Sequence, residues 1–215
     1  MITTDVPELG AHALLAIDTA IGTTVALGAD GRVWSAERAN ARGHAEAIGT
    51  LLEEVIAASG VAPSRVTGVV AGMGPGPFTG LRVGIAAARA FALGRGVPLL
   101  PVEGHEAVAL AELERGATAG VRVVQDARRR ELFVTEYSGL DWAGVPVRAA
   151  GPGLFARDDY AAAPNEVWPE TIPGAQLIGI AARRLAAGQG FADTQARYLR
   201  APDVAQPGAP KRVST

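Results

Sequence analysis

The sequence predicts a two-lobed α/β protein in which each lobe opens with an antiparallel β-meander before its helices. Three observations carry that reading. Short apolar, strand-type runs alternate with segments of helical period. The pattern strand, Asp, turn, strand, turn, strand occurs twice, with Asp18 and Asp126 standing 108 residues apart in a chain of 215, and a repeat at half-length signals two related units. The composition, 48% hydrophobic and 20% charged with a net charge of −2, is that of a globular chain with a real core. The expected division is a first lobe over 1–115, a reduced second lobe over 116–200 and an extended tail over 201–215.

Each element has a local reason. Leu14-Leu15-Ala16-Ile17-Asp18 is a buried-type strand ending on a carboxylate, after a short polar lead. Thr23 to Leu27 and Arg32 to Glu37 are strands joined by the hairpin turn Asp30-Gly31. From His44 to Ser59 the period changes: Ile48, Leu51, Leu52, Val55 and Ile56 fall on one helical face, and Gly60 supplies a C-terminal cap. Val66 to Ala71 is a strand running into a glycine-rich loop, and Leu81 to Leu93 is a small-residue helix stopped by Gly94 and Gly96. Val97 to Val102 is a strand and Gly104 to Glu114 a helix. The second half gives strands at Val121–Asp126, Glu131–Tyr137 and Val145–Ala150, then a weakly patterned stretch and one clear helix, Gly174–Ala187.

Composition excludes several functions. Twenty Lys+Arg against 22 Asp+Glu leave no bulk attraction for a polyanion. With no cysteine there is no disulfide scaffold, thiolate metal site or cysteine nucleophile. No apolar run reaches the ~18–20 residues of a membrane span, and MITTDVPELGAH lacks the positive start of a signal peptide. A cytoplasmic protein with no membrane association is expected. Lys211 is the single lysine, so the arginine richness reads as compositional bias, Arg128-Arg129-Arg130 included.

Few residues suggest chemistry. His12, His44 and His105 have no histidine four residues on, the spacing that would place two imidazoles on one helix face. His44 and the run Glu103-Gly104-His105-Glu106 read as helix-start residues. There is no Gly-x-Ser-x-Gly elbow. The loop Gly72 to Gly80 leads into a helix, a geometry suited to anions, but it lacks the Walker A and dinucleotide spacings, and Pro75 and Pro77 remove two N–H donors. It reads as a rigid turn exposing Phe78. Asp18 and Asp126 read as strand-end residues that brace their turns, so neutralising either is expected to cost stability.

Several stretches together resemble the TsaB (YeaZ) family: LLAIDTA, RGHAEAIGTLLEEVI, GMGPGPFTGLRVGIAAARAFALGRGVPLLPVEG, VVQDARRRELFVTEY and YLRAPDVAQPGAPKRV. The most specific stretch holds Gly74, Pro75, Gly76, Phe78, Thr79, Gly80 and Arg82, with Pro77 where serine is the more usual residue. The resemblance implies an actin-like (ASKHA) fold and a noncatalytic dimerization subunit of the complex that transfers a threonylcarbamoyl group to the adenosine adjoining the tRNA anticodon. The implied partners are a TsaD-type catalytic subunit and a TsaE-type ATPase, with a homodimer as a further arrangement and tRNA met only through the complex. No cofactor is implied. The paired-histidine metal motif of TsaD maps here onto Gly104 and Val108, which carry no ligand atoms. Pairing through first-lobe helices would use Ile48, Leu51, Leu52, Val55, Ile56, Leu81, Ile85, Ala88 and Phe91. Asp18 and Asp126 are then candidate vestigial nucleotide-binding residues. The competing reading is a stand-alone actin-fold ATPase or phosphotransferase built on those two aspartates; a metallopeptidase is disfavoured by the histidine count of three.

Overall fold

The computed structural model describes residues 1–39 and 43–200. The expected tail from Pro202 lies outside the described residues. The elements in order are β1 (Ile2–Asp5), β2 (Leu14–Asp18), β3 (Thr23–Ala29), β4 (Arg32–Arg38), α1 (His44–Ser59), β5 (Gly68–Gly72), α2 (Phe78–Arg95), β6 (Leu99–Val102), α3 (Gly104–Glu114), β7 (Val121–Arg128), β8 (Glu131–Leu140), β9 (Pro146–Ala156), β10 (Glu166–Val167) and α4 (Gly174–Ala187). They form a six-stranded sheet, ordered β1-β4-β3-β2-β5-β6, and a four-stranded sheet, ordered β10-β7-β8-β9.

Both sheets are founded on the expected meanders. β2, β3 and β4 pair antiparallel, as do β7, β8 and β9. In the first sheet β5 and β6 then add in parallel on the other side of β2. All five residues of β2 and all five of β5 are buried, which a strand requires when both sheet faces are covered. Helices α1 and α2 pack on β2 to β5 and on each other, while α4 packs on β2 to β6 and against α3. Helix α3 also packs against β7, β8 and β9 and so lies between α4 and the second sheet.

Most helix bounds follow the local signals. Helix α1 runs from His44 to Ser59, and Gly60, at φ 66°, caps it by donating its N–H to the Ile56 carbonyl. Helix α2 begins at Phe78, three residues before the apolar period, because Pro77 occupies its N-cap with extended backbone. Strand β1 has no counterpart among the expected elements. The polar run Ile2–Asp5 is an edge strand held by its register with Arg32–Ser35 of β4, so partner backbone, not periodicity, makes it a strand. Helix α4 closes on the first sheet so tightly that a Cβ at Gly174 would press on Ser35 and Ala26, and Thr24 donates to the Ile172 carbonyl at 2.7 Å.

Candidate functional site

The two duplicated aspartates sit in opposite surroundings. Asp18 ends β2 at 1% exposure. Its Oδ1 accepts from the Ala20 N–H at 2.7 Å, while Oδ2 is buried with no hydrogen-bond partner. Oδ2 lies against the Cα positions of Gly72 and Gly104, and a side chain at Gly72 would overlap it. Burial pushes the Asp18 carboxyl up to about 6. Asp126, by contrast, is exposed on β7; its Oδ1 accepts from the Arg128 N–H at 2.8 Å, and Arg157 pairs with it at 3.5 Å. Each aspartate accepts from the backbone N–H two residues on, Asp18 at the end of β2 and Asp126 two residues inside the end of β7, but the sequence repeat does not extend to their solvation.

Thr19 fastens the next element. Its hydroxyl donates to the Gly80 carbonyl at 2.6 Å and accepts from the Gly84 N–H at 3.0 Å, anchoring the first turn of α2 to the end of β2. Only glycine fits at 84, because an added Cβ would overlap Thr19 Oγ1. The loop before α2 is similarly enclosed. Gly74 and Pro75 are buried, and the Gly74 carbonyl accepts from the Gly104 N–H at 2.9 Å. The Met73 carbonyl accepts from the Arg197 N–H at 2.8 Å. Phe78 is not left exposed as expected. The Tyr198 ring lies 4.9 Å from it and the Arg82 guanidinium 3.7 Å above it. The cover comes from a segment 120 residues downstream, beyond any local signal.

The run Glu103-Gly104-His105-Glu106 corrects the helix-start reading. None of its side chains caps α3; Glu103, His105 and Glu106 are buried at the junction of the sheets. His105 Nε2 donates to Gln125 Oε1 at 2.9 Å, and Nδ1 accepts from the Thr135 hydroxyl at 2.8 Å. Gln125 Nε2 in turn donates to the Ala20 carbonyl at 3.1 Å. Thus a neutral imidazole joins β8, α3, β7 and the turn after β2, and burial pushes its pKa down to about 4. Glu103 receives Arg148 of β9 at 2.6 Å and Arg197 at 2.9 Å. Glu106 meets Arg184 of α4 at 2.5 Å, and burial pushes its carboxyl up to about 7. His44 is no cap either: its Nδ1 lies 2.8 Å from the Thr23 hydroxyl. Sequence reasoning misses Gln125 and Thr135, although a glutamine directly after the apolar run Val121–Val124 is an available signal.

The positions matched to a paired-histidine motif are filled by packing. A Cβ on Gly104 would meet Ile172 at 3.0 Å, and Val108 is in the core. Among the described residues no group of three His, Cys, Asp or Glu is placed to hold a metal ion.

The nine helix positions expected at an interface divide in two. Ile48, Leu51, Val55, Leu81, Ile85 and Ala88 are buried in the chain's own core, so they hold the lobe together and are not free for a partner. Leu52, Ile56 and Phe91 are half-buried at its edge. Among the described residues the most exposed large apolar side chain is one that helical periodicity does not single out, Leu93, at 85% exposure in the last turn of α2. On the same helix Arg82, Ala86 and Arg89 line a groove of about 530 Å³ whose other wall is Gln195, Ala196 and Tyr198.

The β7–β8 turn has unusual backbone. Arg128, Arg129 and Arg130 have φ of 64°, 54° and 58°, the left-handed region that costs a non-glycine residue about 1–2 kcal/mol each. Tertiary contacts hold the turn. Arg200 donates to the Ala127 carbonyl at 3.1 Å and pairs with Glu131, and the Arg157 N–H donates to the Arg130 carbonyl at 2.7 Å.

Comparison with known proteins places these features in a family. A family model described as tRNA N6-adenosine threonylcarbamoyltransferase (TsaD) matches residues 37–156, more than half of the chain. An uncharacterized protein of Mycobacterium tuberculosis is 34% identical over 175 residues, covering 76% of this chain and 78% of that one. The tRNA threonylcarbamoyladenosine biosynthesis protein TsaB of Escherichia coli is 33% identical over 125 residues, covering 58% of this chain and 54% of its own length. The solved structure of YeaZ from Pseudomonas aeruginosa superposes with a TM-score of 0.75 at 24% identity, over 87% of this chain and all of that one. The two-sheet α/β architecture is therefore the actin-like fold of YeaZ, and the chain belongs to the TsaB (YeaZ) family.

Proposed function

We propose that this chain is a noncatalytic subunit in the biosynthesis of tRNA threonylcarbamoyladenosine, a cytoplasmic scaffold for a TsaD-type catalytic subunit assisted by a TsaE-type ATPase. The observation that carries the reading is the packing at Gly104 and Val108, where the related catalytic subunit would need metal ligands and this chain has a close approach to Ile172 and a core valine. Enclosure of Asp18 supports it further, since a phosphate-bound cation could not reach Oδ2 past Gly72 and Gly104 without opening the fold. In this reading the helices α1 and α2 serve pairing, with Leu52, Ile56 and Phe91 half-buried along their edge and Leu93 presented on the other flank of α2, in line with Arg82, Ala86 and Arg89. A homodimer through the same helices is part of the proposal.

The test is reconstitution. The isolated chain is expected to transfer no threonylcarbamoyl group to unmodified tRNA, and to support transfer when mixed with the catalytic subunit and the ATPase. Metal-dependent transfer by the isolated chain would overturn the reading. The alternative, an ATPase or phosphotransferase using Asp18 and Asp126, has the unpartnered Oδ2 of Asp18 in its favour. ATP turnover by the isolated chain, lost in Asp18→Asn, would establish it instead.

A further inference from the structure

We infer that the β7–β8 turn is an RNA-contacting tip, in which Arg128, Arg129 and Arg130 engage the sugar–phosphate backbone and the exposed Phe155 and Trp168 beside it offer stacking surfaces. The inference rests on the reading of this chain as a tRNA-modification subunit, and adds that the chain itself touches the RNA. Three observations lead to it. The first is the cost of the turn. Among the described residues thirteen glycines take positive φ, so this chain usually meets that conformation with glycine. Compositional bias supplies glycine at least as freely as arginine, with 27 glycines in the chain. Three consecutive arginines in left-handed backbone are thus a costly choice for folding, and the side chains, not the turn, account for it.

The second observation is charge. Arg128, Arg129, Arg130, Arg157 and Arg200 gather at the turn against Asp126, Glu131 and Asp158, with Asp159 next in sequence. The pairs that point outward are exposed on both sides: Arg128 with Asp126 at 3.8 Å and Arg130 with Asp158 at 2.8 Å. Exposed pairs of this kind are weak and exchange readily for phosphate, which a guanidinium binds in a planar fork. The third is the neighbouring surface. Asp126 pairs with Leu132, and Leu132 with Phe155, so Phe155 shares one face of the sheet with the base of the turn. Phe155 and Trp168 are each 47% exposed, and Arg157 links the turn to Trp168, with its guanidinium 5.8 Å from the ring. Arginine interleaved with exposed aromatic rings suits unpaired bases and phosphates better than it suits an acidic peptide.

The test uses the full-length chain carrying Arg129→Gly and Arg130→Gly together. Glycine relieves the left-handed backbone, so the double variant is expected to melt no lower than the parent. The probe is an unmodified tRNA transcript, titrated by fluorescence anisotropy over a series of salt concentrations, with the chain alone and in complex with the catalytic subunit. Affinity should fall at least about tenfold, and the slope of log K against log salt should shrink by about two, one for each phosphate that the variant no longer neutralises. Unchanged affinity and slope in a complex that still assembles would overturn this inference and leave the proposed function standing. Failure of the parent chain to assemble with the catalytic subunit would instead remove the reading on which it rests. Loss of assembly in the variant with tRNA affinity retained would make the turn a protein-docking tip and overturn the RNA assignment.

Discussion

His105 Nδ1 and the Thr135 hydroxyl, 2.8 Å apart, join α3 to the middle of the second sheet. In the neutral ring that burial enforces, Nδ1 carries no proton and accepts from Thr135, because the other ring nitrogen donates to Gln125. Burial lowers the His105 pKa from 6.5 to about 4. Protonation is therefore disfavoured in the fold, and the contribution to stability is present above about 6.5 and lost as pH falls toward 4. The wild-type chain should lose on the order of 3 kcal/mol across that window relative to His105→Asn, which has no proton to take up. Melting temperatures of both proteins from pH 4 to 8 check this; parallel curves would contradict it.

Asp18 gives the opposite sign. Its carboxyl is raised from 3.8 to about 6 by burial, so the charged form is the disfavoured one and stability declines as pH rises from about 4 through 6. Asp18→Asn keeps the acceptor for the Ala20 N–H and removes the charge. It should therefore melt higher than the parent at pH 8, by about 1–3 kcal/mol of stability, and lose that advantage near pH 4. Strand-end bracing alone implied the reverse, a loss on neutralisation.

Gly84→Ala should be destabilising by about 1–3 kcal/mol, because the new methyl group overlaps Thr19 Oγ1. The remedy is specific. In a Thr19→Ala background the same change should cost less, with a coupling of about 0.5–3 kcal/mol in a double-mutant cycle from urea unfolding. Additive costs would show that α2 is not seated through this pair.

Leu93→Glu separates interface from core. At 85% exposure the side chain contributes little to the fold, so melting should change by less than about 0.5 kcal/mol of stability. If α2 pairs with a catalytic subunit or a second copy, a glutamate there should weaken association on the order of 10²-fold, measured by sedimentation or pull-down. Val55→Glu is the control, since it buries a charge in the lobe's own core and should unfold the protein. Association unaffected by Leu93→Glu would move the pairing face elsewhere.

Periodicity, turn residues and the half-length repeat determined a great deal. The bounds of α1, α3, α4 and β2, the two meanders, the cap at Gly60 and the glycine-rich turn into α2 were all legible, because each depends on neighbours within a few residues. Tertiary structure decided what each polar residue does. Whether Asp18 is buried and Asp126 exposed depends on what covers them, and Gly72 and Gly104 come from β5 and the start of α3. His105, Gln125 and Thr135 meet only when α3 is laid on the second sheet. Phe78 is covered only because Tyr198 returns to it from the far end of the described chain. Helix periodicity also could not divide the apolar face of α1 and α2 between core and surface, since both want the same residues. The strain of Arg128–Arg130 is likewise absent from the sequence, because a left-handed backbone is imposed by the strands that the turn must join and by the contacts from Arg157 and Arg200 that hold it there.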